Sequence, residues 1–179
     1  DGGALVCKSD EDIERVRKLR WFGLDRKFKS ASRWEQDITE AGYKLHMNNL
    51  NARIGIEQML YIDININKHI DNGKYYDEHI DNPSVQLLER DSNAESSYWI
   101  YSVLVEDKKK FQEYLAQNGI ASDVVHVRND QYTCMDDFRR DGLDGLDYFE
   151  SRLLNIPVGW WVDESDREHI VKVVNNYEQ

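Results

Sequence analysis

The chain has 179 residues, 40% of them apolar, with 23 Lys and Arg against 34 Asp and Glu and a formal net charge of −11. That balance argues against a nucleic-acid partner, whose phosphates recruit clusters of Lys and Arg, and no apolar run approaches the roughly 18–20 residues of a membrane span. The length suits one domain or one and a half, and five Trp with ten Tyr supply large surfaces for a core. Cys7 and Cys134 form no CxxC and no ladder of pairs, a usage that suits a reducing cytoplasm, with a single bridge between them as the alternative. The sequence starts at Asp1 without Met and shows no secretory signal, which reads as a piece of a longer protein.

Gly2-Gly3-Ala4-Leu5-Val6-Cys7 reads as a short buried strand entered through glycines. Ser9 then caps a helix whose first turn carries Asp10, Glu11 and Asp12, complementing the macrodipole. Ile13, Val16 and Leu19 make its apolar stripe, Arg15, Arg17, Lys18 and Arg20 its basic face, and Gly23 its stop. This strand–helix unit is an α/β edge, and its strand requires a sheet. Residues 27–40, with Lys27, Lys29, Ser30, Ser32 and Trp34, read as an exposed connector.

Asn48 or Asn49 caps the next helix, on which Leu50, Ile54 and Met59 recur at helical spacing and read as buried. Just ahead of it, Gly42–Met47 presents Lys44 and His46, a layout that suits grip on an anion or on a neighbouring subunit. The plainer alternative is a loop leading into a core helix. An exposed apolar patch around Leu5, Val6 and the helix of residues 50–59 is also expected, and with it self-association. Residues 61–67 alternate like a strand, while Ile66, Ile70 and residues 76–80 resume helical spacing. Asp63, Asn65 and Asn67 mimic the opening of a calcium loop, but Lys68 and Lys74 occupy the places of its glycine and its closing glutamate, so that reading fails.

Pro83 marks a boundary, after which the pattern becomes α+β. Residues 85–88, 97–105 and 120–127 read as strands. Asp107 caps a helix carrying Phe111, Tyr114 and Leu115 and ended by Gly119; residues 149–154 read as a short helix, and a last helix starting after Asp163 or Ser165 buries Ile170, Val173 and Val174. A strand–helix–strand arrangement with a returning helix forms a small α+β layer.

No HxxxH spacing or His/Cys/Asp cluster offers metal geometry, and neither a nucleophile elbow nor a Gly-rich phosphate loop is present. His69, His79 and His169 lie among charges on helices and read as solvated, as does the acidic string Asp136, Asp137, Asp141, Asp144 and Asp147. Alternation puts His126 and Arg128 on one face at a strand end. A guanidinium there either forks onto a carboxylate or phosphate of a ligand or pairs with Asp130 or Asp136.

Several stretches resemble the DegT/DnrJ/EryC1/StrS sugar aminotransferases. They are Asp1-Gly2-Gly3-Ala4-Leu5-Val6, then Arg20 with Gly23-Leu24-Asp25-Arg26, and then Gly42, Tyr43, Lys44, Met47, Asn49, Ala52, Ile54, Gly55 and Gln58. Further on come Ser97-Tyr98-Trp99 with Tyr101, His126 with Arg128-Asn129-Asp130, and residues 155–161. The resemblance covers nearly the whole chain but only the C-terminal part of such an enzyme. It implies an α/β fragment of a fold-type I pyridoxal-phosphate transferase: the end of the large domain and an interface loop in 1–47, linking helices in 48–82, broken near residues 62–64, and a small α+β domain in 83–179. It implies a homodimer whose reaction moves an amino group from an amino-acid donor to a nucleotide-linked keto-deoxysugar. The lysine that carries the cofactor falls ahead of Asp1 in the family pattern, so no catalytic residue is assigned here and the piece alone is expected to be inactive. Lys44 and His46 stand where the family reaches a cofactor phosphate across the dimer. Both depart from the Asn and Arg common there, though each can donate to a phosphate. Trp21, His126 and Arg128 would line the nucleotide-sugar side. The competing reading is a non-catalytic α+β module that dimerises.

Overall fold

The computed structural model describes residues 2–29 and 32–178, so Asp1 of the opening motif and Ser30 of the connector lie outside it. The described chain divides into two compact units, residues 1–61 and 62–179.

The first unit is built on two helices. α1 (Asp10–Leu19) starts at Ser9, whose side chain accepts the Asp12 N–H, and carries the acidic first turn and basic last turn expected of it. Gly23, at φ 79°, ends the turn beyond it by donating to the Lys18 carbonyl at 2.9 Å. α2 (Asn49–Met59) is capped by Asn48, whose side chain accepts the Asn51 N–H. Two expectations fail here. Gly2–Cys7 has no strand partner in its unit and is not a strand; Leu5 and Val6 are exposed. α2 buries none of its residues, and Leu50, Ile54 and Met59 are open on its surface; with Leu5 and Val6 they are the exposed apolar residues of the patch that was also expected. Their helical spacing marks an apolar face, and this unit provides nothing to cover it. Among the described residues, the one buried position in this unit is Gly23.

The second unit holds the core. α3 (Ile62–His79) begins directly after Leu60 and Tyr61, so the helix break falls there rather than at residues 62–64. A three-stranded antiparallel sheet follows in the order β1 (Gln86–Leu87), β2 (Tyr101–Leu104), β3 (Leu153–Ile156), with Tyr101 opposite Ile156 and Leu104 opposite Leu153. α4 (Lys108–Gln117) starts at its Asp107 cap, and α6 (Glu164–Asn175) starts from a capping box of Asp163 and Asp166. Tyr76 from α3, Tyr101 and Val103 from β2, Phe111 and Leu115 from α4, Leu154 from β3 and Val174 from α6 meet in the core.

The strands are shorter than their apolar runs, and each has a local reason. Residues 97–100 leave the sheet because Tyr98 sits at φ 47°, outside extended backbone. The run 120–127 makes a single bridge, Asp123 to Asn155, instead of a strand. Helix α5 (Asp144–Arg152) ends earlier than expected, and Leu153–Ile156, all four buried, form the strand that pairs with β2. Asn72 and Gly73 lie buried inside α3, where Gly73 gives room to the Tyr98 ring. Both cysteines are free. Among the described residues no helix is long and apolar enough to cross a membrane.

Candidate functional site

In the first unit the end of α1 and the approach to α2 are stitched together by backbone. Tyr43 N–H donates to the Leu19 carbonyl at 2.6 Å, Phe22 N–H to the Tyr43 carbonyl at 3.0 Å and Leu45 N–H to the Arg20 carbonyl at 3.0 Å. Trp21 and Lys44 form the bridge between the two segments. Glycine is required for this approach: a Cβ on Gly42 would stand 2.1 Å from the Gly23 nitrogen. Between the stitches Phe22 is held at φ 57°, a left-handed position that costs a bulky residue about 1–3 kcal/mol and persists only where its surroundings enforce it.

The stitch produces a platform around Trp21. The His46 ring meets the indole edge-on, with centroids 4.1 Å apart and planes at 87°. The Arg26 guanidinium lies over the same indole at 5.6 Å. His46 Nδ1 is buried and has no hydrogen-bond partner. A buried N–H without an acceptor costs about 1–3 kcal/mol, so the favoured neutral tautomer carries its proton on Nε2 and uses that atom as its donor.

Charge sharpens the picture. Arg15 forks onto Glu40, Arg17 and Lys27 share Glu14, and Lys18 reaches Asp25. The hydrogen bond from Arg15 holds the Glu40 carboxyl below its ordinary value. Among the described residues, Arg20, Arg26 and Lys44 have no carboxylate partner in any ion pair, and all three are exposed. Unpaired cations beside an indole and a ring N–H donor can take a phosphorylated ligand, because guanidinium and ammonium groups make charge-assisted bonds to phosphate oxygens.

Trp21, Lys44 and His46 are therefore together, as neighbours in one short-range structure. Arg26, over the indole, belongs with them and had no role in the sequence reading. Arg26 lies past the helix stop, where spacing says nothing about contacts.

His126 and Arg128 belong to the second unit, and their surroundings differ. Arg128 donates from its Nε and one terminal nitrogen to Asp130, at 2.7 and 2.6 Å, and its other terminal nitrogen pairs with Asp147. The bond to Asp130, with Asp147 beside it, raises the guanidinium above its ordinary value. Its fork is thus occupied by the chain's own acids, and Asp147 is engaged rather than merely solvated. His126 is exposed, 5.5 Å from the Trp99 ring. His69, expected to be solvated, is half-buried and donates from Nδ1 to the Tyr98 carbonyl at 3.0 Å. His79 and His169 are exposed and bond the carbonyls of Tyr75 and Asn118.

A sequence profile of the DegT/DnrJ/EryC1/StrS aminotransferase family matches residues 1–175, and the chain belongs to that family. Among solved structures, the sugar aminotransferase CalS13 from Micromonospora echinospora is 33% identical, with a TM-score of 0.86 over 93% of this chain and 45% of that one. AtS13 from Actinomadura melliaura is 35% identical, with a TM-score of 0.87 over 95% and 45%. Among curated proteins, a dTDP-3-amino-3,6-dideoxy-alpha-D-galactopyranose transaminase from Aneurinibacillus thermoaerophilus is 23% identical over 178 residues, 98% of this chain and 47% of that protein. A UDP-4-amino-4,6-dideoxy-N-acetyl-beta-L-altrosamine transaminase from Campylobacter jejuni is 27% identical over 118 residues, 65% of this chain and 29% of that protein. The chain thus spans under half the length of these relatives, and its fold is a partial α/β fold of the fold-type I transferases.

Proposed function

We propose that the parent protein is a pyridoxal-phosphate-dependent aminotransferase that aminates a nucleotide-linked keto-deoxysugar from an amino-acid donor, and that this chain is its C-terminal part. The observation that carries the reading is the Trp21 platform, with unpaired Arg26 and Lys44 and the His46 ring set against the indole, in a chain of this family. In this assignment 1–47 end the large domain, 48–82 link, and 83–179 form the small domain.

The donor set fits a phosphate. Lys44 and His46 would hold the cofactor's phosphate, Lys44 by its ammonium and His46 by Nε2–H. Trp21, His126 and Arg128 would line the sugar-nucleotide side, Arg128 only by exchanging one of its carboxylates. Bound pyridoxal phosphate supplies an electron sink for amino transfer. No lysine here is assigned to carry it, so the chain alone is expected not to turn over. The open apolar face of α2 supports a homodimer, and the free cysteines suit the cytoplasm.

The test is amination of a dTDP-linked 4-keto-6-deoxysugar by the full-length gene product with glutamate, with phosphate-group affinity read separately by titrating inorganic phosphate against the Trp21 indole NMR signal. Lys44→Ala with His46→Ala should weaken both by about tenfold or more. An inactive full-length product would leave the dimerising α+β module as the reading. Turnover by the 179-residue chain with added cofactor would overturn its assignment as a part.

A further inference from the structure

The second unit carries a groove of its own, of about 540 Å³, walled by Trp99 and Trp161 and floored by Ser122, Asp123, Asn155 and Gly159. Both indoles are largely open to solvent, at 65% and 62% exposure, although the unit has a well-formed core.

Each ring is held in place rather than left loose. Trp161 lies across the Gly159 backbone so closely that a Cβ there would meet the indole at 2.3 Å, and the His69 ring meets Trp161 edge-on at 6.1 Å. Trp99 is set by the residue before it. Tyr98, at φ 47°, is strained, and its surroundings fix it at every polar atom. Its hydroxyl donates to Asp77 at 2.6 Å, its N–H to Ser96 Oγ at 3.1 Å, and its carbonyl accepts from His69 Nδ1 at 3.0 Å. Its ring covers Gly73, where a Cβ would stand 2.1 Å away, and the Arg90 guanidinium lies 4.8 Å from its centre. Asp77 is fixed in turn by the Tyr101 hydroxyl at 2.6 Å and by Arg90 at 3.3 Å. A turn locked in this way projects Trp99 outward beside His126.

The lining selects the ligand's chemistry. It contains no Lys or Arg, and Asp123 is its one charged group; the unit around it has 24 Asp and Glu against 12 Lys and Arg. A phosphate is repelled there. Ser122 Oγ is buried without a partner, and a buried hydroxyl calls for one. Asn155 is already satisfied, donating to Ser102 Oγ and accepting from Val125 N–H, both at 2.8 Å. Two open indole faces, an acceptor carboxylate and a waiting hydroxyl suit a neutral ring with C–H faces and hydroxyl edges.

We propose that this groove is a pyranose-ring subsite in which Trp99 and Trp161 supply the stacking faces and Ser122 and Asp123 the hydrogen bonds, with Tyr98 as the positioning residue for Trp99. It rests on the sugar-aminotransferase reading.

The experiment is indole N–H NMR on the 179-residue chain, titrated with methyl α-D-fucopyranoside and, separately, with inorganic pyrophosphate. The fucoside should shift Trp99 and Trp161 saturably, with a dissociation constant on the order of millimolar, the range open to so small a ligand, and leave Trp21 unmoved. Pyrophosphate should do the reverse. Trp99→Ala and Trp161→Ala should each weaken the fucoside by about tenfold or more. Tyr98→Phe keeps the ring on Gly73 but loses the Asp77 bond. It should weaken binding about threefold with the Trp161 signal unmoved in the free chain, a change that general destabilisation would not give. No saturation by about 100 mM, a range that covers weak ring stacking, or equal binding by either Trp variant, overturns the proposal, as does pyrophosphate acting on Trp99. Fucoside binding that fails while the full-length protein aminates its sugar refutes this subsite alone. Fucoside binding without amination refutes the reaction and keeps the groove.

Discussion

The two units use apolar residues in opposite ways. Residues 62–178 bury Tyr76, Tyr101, Phe111, Leu115 and Val174 completely or nearly so, and carry 12 Lys and Arg against 24 Asp and Glu. Residues 1–61 carry 11 against 10, and most of their large apolar side chains, Leu5 and Met59 among them, lie open. One unit is a core wrapped in acid. The other is a set of stitched segments with near-balanced charge, whose helices have faces but no interior. Hydrophobic burial holds the second unit together, whereas backbone hydrogen bonds and glycine contacts define the first.

The largest effects follow from that contrast. Phe111→Ala removes a fully buried ring packed on Tyr177 at 4.6 Å and is expected to destabilise by about 3–5 kcal/mol. Ile54→Ala on the open face of α2 should change stability of the chain by no more than about 0.5 kcal/mol. Denaturant midpoints of the two variants measure both. An equal loss at Ile54 would mean that α2 is covered in solution, and its dependence on protein concentration would identify a second copy as the cover.

Gly42→Ala probes the first unit where it is tight. The new methyl meets the Gly23 nitrogen and, at 2.7 Å, the Leu19 carbonyl oxygen, neither of which can swing aside as a side chain would. The stitch should open, at a cost of about 1–3 kcal/mol, and the ring-current shift that Trp21 imposes on His46 should collapse, while the core of the second unit keeps its native spectrum. A retained His46 shift would show that the platform does not depend on the stitch.

What could be read from the sequence divides along the same line. Helix caps were legible, because Ser9, Asn48, Asp107 and Asp163 act within three residues. The platform was not legible as a unit: Lys44 and His46 stood out by charge and Trp21 through the family resemblance, for different roles, and their meeting and the Arg26 contact over the indole come from the fold. Strand limits were not legible. Alternation ran through residues 97–100, and nothing local announced that Tyr98 would take a left-handed backbone, since the contacts that enforce it come from Gly73, Asp77 and Arg90. Burial of α2 was misjudged for a related reason. A helical apolar stripe says that a face wants cover, not whether its own unit supplies it.

Alkali gives the finest test of the difference between the units, through that same Tyr98. Burial, with the bond to Asp77 adding to it, pushes its phenol up to about 12, and burial pushes Tyr101 and Tyr76 upward too. An unfolded tyrosine ionises near pH 10. Because the protonated phenol is the neutral form, the folded chain keeps a proton that the unfolded chain has released. The associated stability is therefore whole below about pH 10 and is lost as pH rises toward 12. The denaturant midpoint of the second unit should stay level to about pH 10 and then fall. Tyr98→Phe should start lower at neutral pH, having lost its bond to Asp77, and should fall less steeply through the alkaline range. A slope equal to that of the unaltered chain would assign the alkaline loss to Tyr101 and Tyr76, and would leave the Tyr98 hydroxyl as a tether for the Trp99 turn without a share in the titration.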